Sequence, residues 1–191
     1  MFTSVRQRGL SLIEMIIFMI VVGVGLAGVL LAINQSTKQS ADPMLRKQAL
    51  AAAESLLEEV LQQPFTYCDP RDPNAATATS SGVGANACST AAFSMDSPGN
   101  WGAGKSRYGP EFFNNVADYR GFSMSGNLLD LLQQASSRLA GYSASVAVTQ
   151  AGGGFGLPAA NALRVDVTVS GGGDTVTLTG YRFRHSPNLT N

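Results

Sequence analysis

From Met15 to Ile33 the chain carries no Asp, Glu, Lys, Arg or His, and this run of 19 residues constrains everything around it. As a helix rising about 1.5 Å per residue it would span roughly 28 Å, close to the ~30 Å hydrocarbon core of a bilayer. The run is made of large apolar side chains apart from the small residues Gly23, Gly25, Ala27, Gly28 and Ala32, and it predicts a membrane-spanning helix. One carboxylate, Glu14, stands at its head, behind a short leader carrying Arg6 and Arg8. A carboxylate in such a segment costs on the order of 2.5–3.5 kcal/mol on insertion scales, so it requires a partner. The run contains no cation to supply one. A cut after Gly9 would give Leu10 a new α-amino group. It would also set Glu14 in the first helical turn, where the helix dipole favours negative charge.

Two plainer readings compete. A secretory signal peptide has an apolar core of about 7–15 residues that ends at a small-residue cleavage site. This run is longer, starts on Glu14 and continues into further helical sequence. A simple anchor accounts for the length but leaves Glu14 without a role. Gly23, Gly25 and Gly28 either loosen the helix, at about 1 kcal/mol each relative to Ala, or permit close packing of helices in a membrane. The sequence leaves both open.

Gly9-Leu10-Ser11-Leu12-Ile13-Glu14 followed by the apolar run resembles the cleavage and methylation motif of type IV prepilins and type II secretion pseudopilins. The resemblance implies that prepilin peptidase cuts between Gly9 and Leu10 and that Leu10 is then N-methylated. It implies further that Glu14, the fifth mature residue, pairs with the terminal amine of a neighbouring subunit during filament assembly. Major pilins commonly carry a proline in the membrane half, and Leu31 stands at that position here.

Charge and cysteine content bound the remainder. Thirteen basic and thirteen acidic residues cancel without a dense basic patch, so nucleic acid is not an expected partner. Arg6 and Arg8 before the span, against Lys38 just after it, favour a cytoplasmic leader (residues 1–9) in the inner membrane. The helix then covers residues 10–41, and a periplasmic head covers residues 42–191. Cys68 and Cys88 suit an oxidising compartment and one disulfide. Closing the polar loop between them stabilises the fold by about 3 kcal/mol. Two cysteines with no nearby His do not suggest a metal site, and Asp69 and Asp72 lack EF-hand spacing and read as a solvated turn. His185 is the sole histidine. The glycine run at 152–156 lacks the Lys and following helix of a phosphate loop. No enzyme, cofactor or metal is expected.

Periodicity sketches the head. Within Pro43–Gln63, Leu45, Ala49, Ala52, Leu56, Val60 and Leu61 recur at helical spacing, and Pro64 ends the helix. Asp42-Pro43 marks either a kink or a restart. Tyr108, Phe112, Phe113, Tyr119 and Phe122 are expected to pin a loop-rich excursion to the core, an exposed binding patch being the alternative. Leu128, Leu129, Leu131, Leu132 and Leu139 suggest a short helix or turn. Alternation over Tyr142–Thr149, Leu163–Ser170 and Thr175–Phe183, with glycine turns between, predicts three antiparallel strands. The expected fold is therefore α+β and pilin-like, a long N-terminal helix whose amphipathic half packs on an antiparallel sheet beside a disulfide-closed loop.

The stretches Leu45–Val60, Pro64–Pro70, Ala162–Val169 and Leu178–Arg182 resemble the minor pilins of the mannose-sensitive haemagglutinin (MSHA) type IV pilus system. That implies a structural subunit that primes or tips a pilus together with other major and minor pilins. A type II secretion pseudopilin and an adhesin-like surface-binding head are the alternatives.

Overall fold

The computed structural model describes residues 11–188, the side chains of residues 36–43 excepted. Gly9 and Leu10, the expected cleavage pair, lie outside it. A single helix, α1, runs from Leu12 to Gln62. Asp42-Pro43 therefore neither ends nor restarts it, although Pro43 has no N–H for the helical ladder. The chain divides into two compact units, one up to Met44 and one from Leu45 onward.

In the first unit, Leu12–Gln35 is long and apolar enough to cross a membrane. Its side chains are exposed, Ile13 at 62%, Phe18 at 65% and Val24 at 70%. A β-carbon added at Gly23, Gly25 or Gly28 would meet nothing within 4 Å.

The second unit is the α+β body predicted from periodicity. Its strands are β1 (Ser123–Met124), β2 (Asn127–Leu129), β3 (Ala135–Ala140), β4 (Ser143–Gln150), β5 (Ala162–Gly171) and β6 (Asp174–Phe183). Four form one sheet in the order β1-β4-β5-β6, and β2 and β3 form a separate hairpin. All pairings are antiparallel. The β4–β5 register runs from Ser143↔Ser170 to Gln150↔Leu163, and the β5–β6 register from Ala162↔Phe183 to Gly171↔Asp174. Gly172 and Gly173 close the last hairpin with φ of 65° and 86°, a left-handed geometry that glycine adopts without penalty.

Alternation places Val146 and Val148 of β4, and Leu163, Val165, Val167 and Val169 of β5, in the core. There they meet Ala49, Ala53, Leu56 and Val60 of α1, residues spaced to fall on one helical face. Gly180 permits this packing, since a β-carbon there would come within 2.8 Å of Leu61 Cδ1.

Two expectations change. Of the short helix or turn expected from the leucines of 127–139, the turn is found at Leu131 and Leu132 inside the β2–β3 hairpin and the helix is not. Gln133 has a φ of 61°, outside the helical region, and the Asp130 carboxylate accepts from the amides of Leu132 and Gln134 to build the turn. Asp69 and Asp72 do sit in turns, but they are buried, at 3% and 4% exposure.

Candidate functional site

At the head of α1, Glu14 occupies the first helical turn, where amide N–H groups lack intrahelical acceptors and favour an anion. Its surroundings are the exposed apolar side chains of Leu12, Ile13 and Met15 to Phe18. This geometry joins one carboxylate to an apolar surface that water penalises, so the segment suits lipid or other apolar helices.

The second unit carries three polar knots. In the first, Cys68 and Cys88 are disulfide-bonded and fully buried beside Ala75 and Ala78. The Asp72 carboxylate accepts from the amides of Asn74 and Ser89 and from the Ser89 hydroxyl. Asp72 and the two sulfurs lie within 4.8 Å of one another, but the sulfurs are spent on each other and offer no thiolate.

In the second knot, Asp69 is gripped by Arg71 through Nε at 3.1 Å and Nη2 at 3.0 Å, and by Lys105 Nζ at 2.7 Å. Burial pushes the Asp69 carboxyl up, but the hydrogen bonds from Arg71 and Lys105 outweigh it and hold the group below its ordinary value. The same Lys105 ammonium reaches Asp118 Oδ2 at 2.7 Å and Asn114 Oδ1 at 2.6 Å.

The third knot ties α1 to the aromatic excursion. Arg107 donates to both Glu59 oxygens at 2.7 and 2.6 Å, and the Tyr119 hydroxyl donates to Glu59 at 2.8 Å. Burial lowers the Arg107 pKa, but the Glu59 bonds more than restore it and leave it above the ordinary value. Burial and then the Glu59 charge push the Tyr119 phenol up.

Around this knot the aromatic expectation holds for most of the five residues. Tyr119 is buried, and Phe113 and Phe122 pack against the core, with Phe113 and Tyr119 ring centroids 4.7 Å apart. Phe112 alone is mainly exposed, at 62%. A different aromatic group, Phe155 with Tyr181 and Phe183, stands on the open face of β6 at centroid distances of 5.3 and 5.0 Å. A groove of about 940 Å³ runs between α1 and the β2–β3 hairpin, with Ala51, Ala52 and Ser55 on one wall and Leu129, Leu131 and Leu132 on the other.

Sequence reasoning located Glu14 and the disulfide. It missed Lys105, Arg107, Glu59 and Asp118, whose ion-pair partners stand 13 to 48 positions away, so no local spacing announces them.

Residues 5–30 match the family model described as the prokaryotic N-terminal methylation motif. That span contains Gly9, Leu10 and Glu14, so the chain carries this motif at its N-terminal end. No curated protein matches the chain. No solved structure matches it.

Proposed function

We propose that the protein is a minor pilin of an MSHA-like type IV pilus, corresponding to minor pilin D, which is held in the inner membrane until it joins the filament. In this reading prepilin peptidase removes Met1–Gly9, Leu10 becomes the methylated N-terminus, and the body of the chain faces the periplasm. The carrying observation is the methylation motif over residues 5–30 leading into an exposed apolar helix with Glu14 in its first turn.

The mechanism is a transfer between two apolar surroundings. In the membrane, lipid covers Leu12–Gln35; in the filament, the same surface is covered by the helices of other pilins, so no apolar area returns to water. A charge in either place is costly without a partner. Glu14 therefore favours the register in which it meets the amine of a neighbouring Leu10. Cys68–Cys88 suits an oxidising compartment such as the periplasm.

Glu14→Ala should leave membrane insertion intact while depleting the protein from sheared filaments by tenfold or more, an estimate corresponding to about 1.4 kcal/mol or above. Immunoblots of membrane and filament fractions read both quantities. Equal recovery of the variant in filaments would remove the assembly role.

A type II secretion pseudopilin would share this N-terminal chemistry, and finding the chain in pili or in a secretion pseudopilus separates the two. For an adhesin-like head, the exposed aromatics described in the second unit are Phe155, Tyr181 and Phe183 together with Phe112, and Phe113, Tyr119 and Phe122 are committed to packing.

A further inference from the structure

Lys105, Asn114 and Asp118 are placed for covalent chemistry. Lys105 Nζ lies 2.6 Å from Asn114 Oδ1 and 2.7 Å from Asp118 Oδ2. The Lys105 and Asp118 side chains are each only 1% exposed. An ammonium offers only donors, so the oxygen end of the Asn114 amide is the end that faces it. A C=O bond is about 1.2 Å long, which puts Asn114 Cγ within about 4 Å of Nζ. The nucleophile and its target are thus held together by the fold.

The two neighbouring acids differ in their surroundings. Asp69 is bound through both oxygens by the Arg71 side chain and also accepts from the Arg71 amide at 2.9 Å. That permanent cation keeps Asp69 charged. Asp118 feels the Arg71 charge, but no guanidinium among the described residues hydrogen-bonds to it; it accepts from the amides of Gly102 at 3.1 Å and Asn114 at 3.0 Å and from Lys105. A buried ammonium–carboxylate pair can shed its desolvation cost by moving one proton and becoming neutral. Asp118 Oδ2, 2.7 Å from Nζ, is placed to receive it.

We propose that Lys105 and Asn114 become joined by an intramolecular isopeptide bond, with Asp118 as the proton carrier. The Lys105 ammonium gives a proton to Asp118, and the freed Nζ electron pair forms a bond to Asn114 Cγ. Asp118 returns the proton to the carbonyl oxygen as charge develops there. Collapse of the tetrahedral carbon breaks Cγ–Nδ2, and the amide nitrogen takes the surplus protons and leaves as ammonium. One ammonium and one primary amide become one secondary amide and one ammonium ion, with no oxidant or reductant consumed. The bond would cross-link the segment that connects the disulfide loop to the aromatic excursion.

The test is a tryptic map of the reduced and alkylated full-length protein purified from its membranes. Trypsin does not cut after an acylated lysine, so Asp72–Arg107 should appear joined to Tyr108–Arg120 with a loss of about 17 Da, the mass of ammonia. Separate, unmodified Asp72–Lys105 and Tyr108–Arg120 peptides would overturn the proposal. A joined species lighter by about 18 Da, the mass of water, would mean an amide to a carboxylate and would overturn the assignment to Asn114. Asp118→Ala should yield only the separate peptides while Cys68–Cys88 still forms. A cross-link that persists in that variant would remove Asp118 from the reaction.

Discussion

Glu59 shows how much of this body depends on single polar side chains. It receives two bonds from Arg107 and one from Tyr119, so its loss strands a guanidinium that is 7% exposed. Truncating one member of a buried pair costs about 3–5 kcal/mol, and the partial exposure of Glu59 puts Glu59→Ala near the lower end, about 3 kcal/mol. Tyr119→Phe removes one hydrogen bond and should cost only about 1 kcal/mol. Chemical denaturation of the two variants measures the difference, and equal losses would contradict the bidentate pair as the main contributor. Asp69 adds a pH dependence. Its folded-state pKa lies below the unfolded value, so its contribution is complete above the unfolded value of about 4. That contribution is lost as pH falls through the folded value. The urea midpoint should hold steady from pH 7 to 5 and drop below about 4, and Asp69→Asn should flatten that acid limb.

Among the elements, the part of α1 from Leu45 onward packs one face into the core of the second unit. Leu56 is 5% exposed and belongs to the cluster with the sheet, whereas Leu50 on the same helix is exposed at 36%. Leu56→Ala should therefore destabilise by about 2–5 kcal/mol, and Leu50→Ala by roughly 0.5 kcal/mol or less; a similar loss for both would refute the buried face. The helix and β4–β6 were legible because burial on one face imposes a period of 3.6 or 2 on the residues themselves. The β2–β3 hairpin was not, because Leu128, Leu129, Leu131 and Leu132 satisfy a helical spacing as readily as two short strands around a turn. Strand β1, only two residues long, carries no period at all. At the candidate site, Glu14 was legible because one charge in an apolar run is conspicuous. The Lys105 knot joins residues from three separate stretches, so it exists only once the chain has folded.

The molecule as a whole combines a motif-bearing apolar helix that leaves its own surface uncovered with a body stapled by one disulfide and dense buried ion pairs. That division of labour suits the function proposed above, in which the helix is covered by lipid first and by other subunits later, while the body holds its shape without either. In the proposed function the leader is removed to expose Leu10. That removal is tested most directly by determining the N-terminal residue and its mass in protein recovered from membranes of cells with and without prepilin peptidase. The expected result is a chain starting at a singly methylated Leu10 only when the peptidase is present. A chain that still begins at Met1 in those cells, or one cut beyond the apolar run, would contradict it.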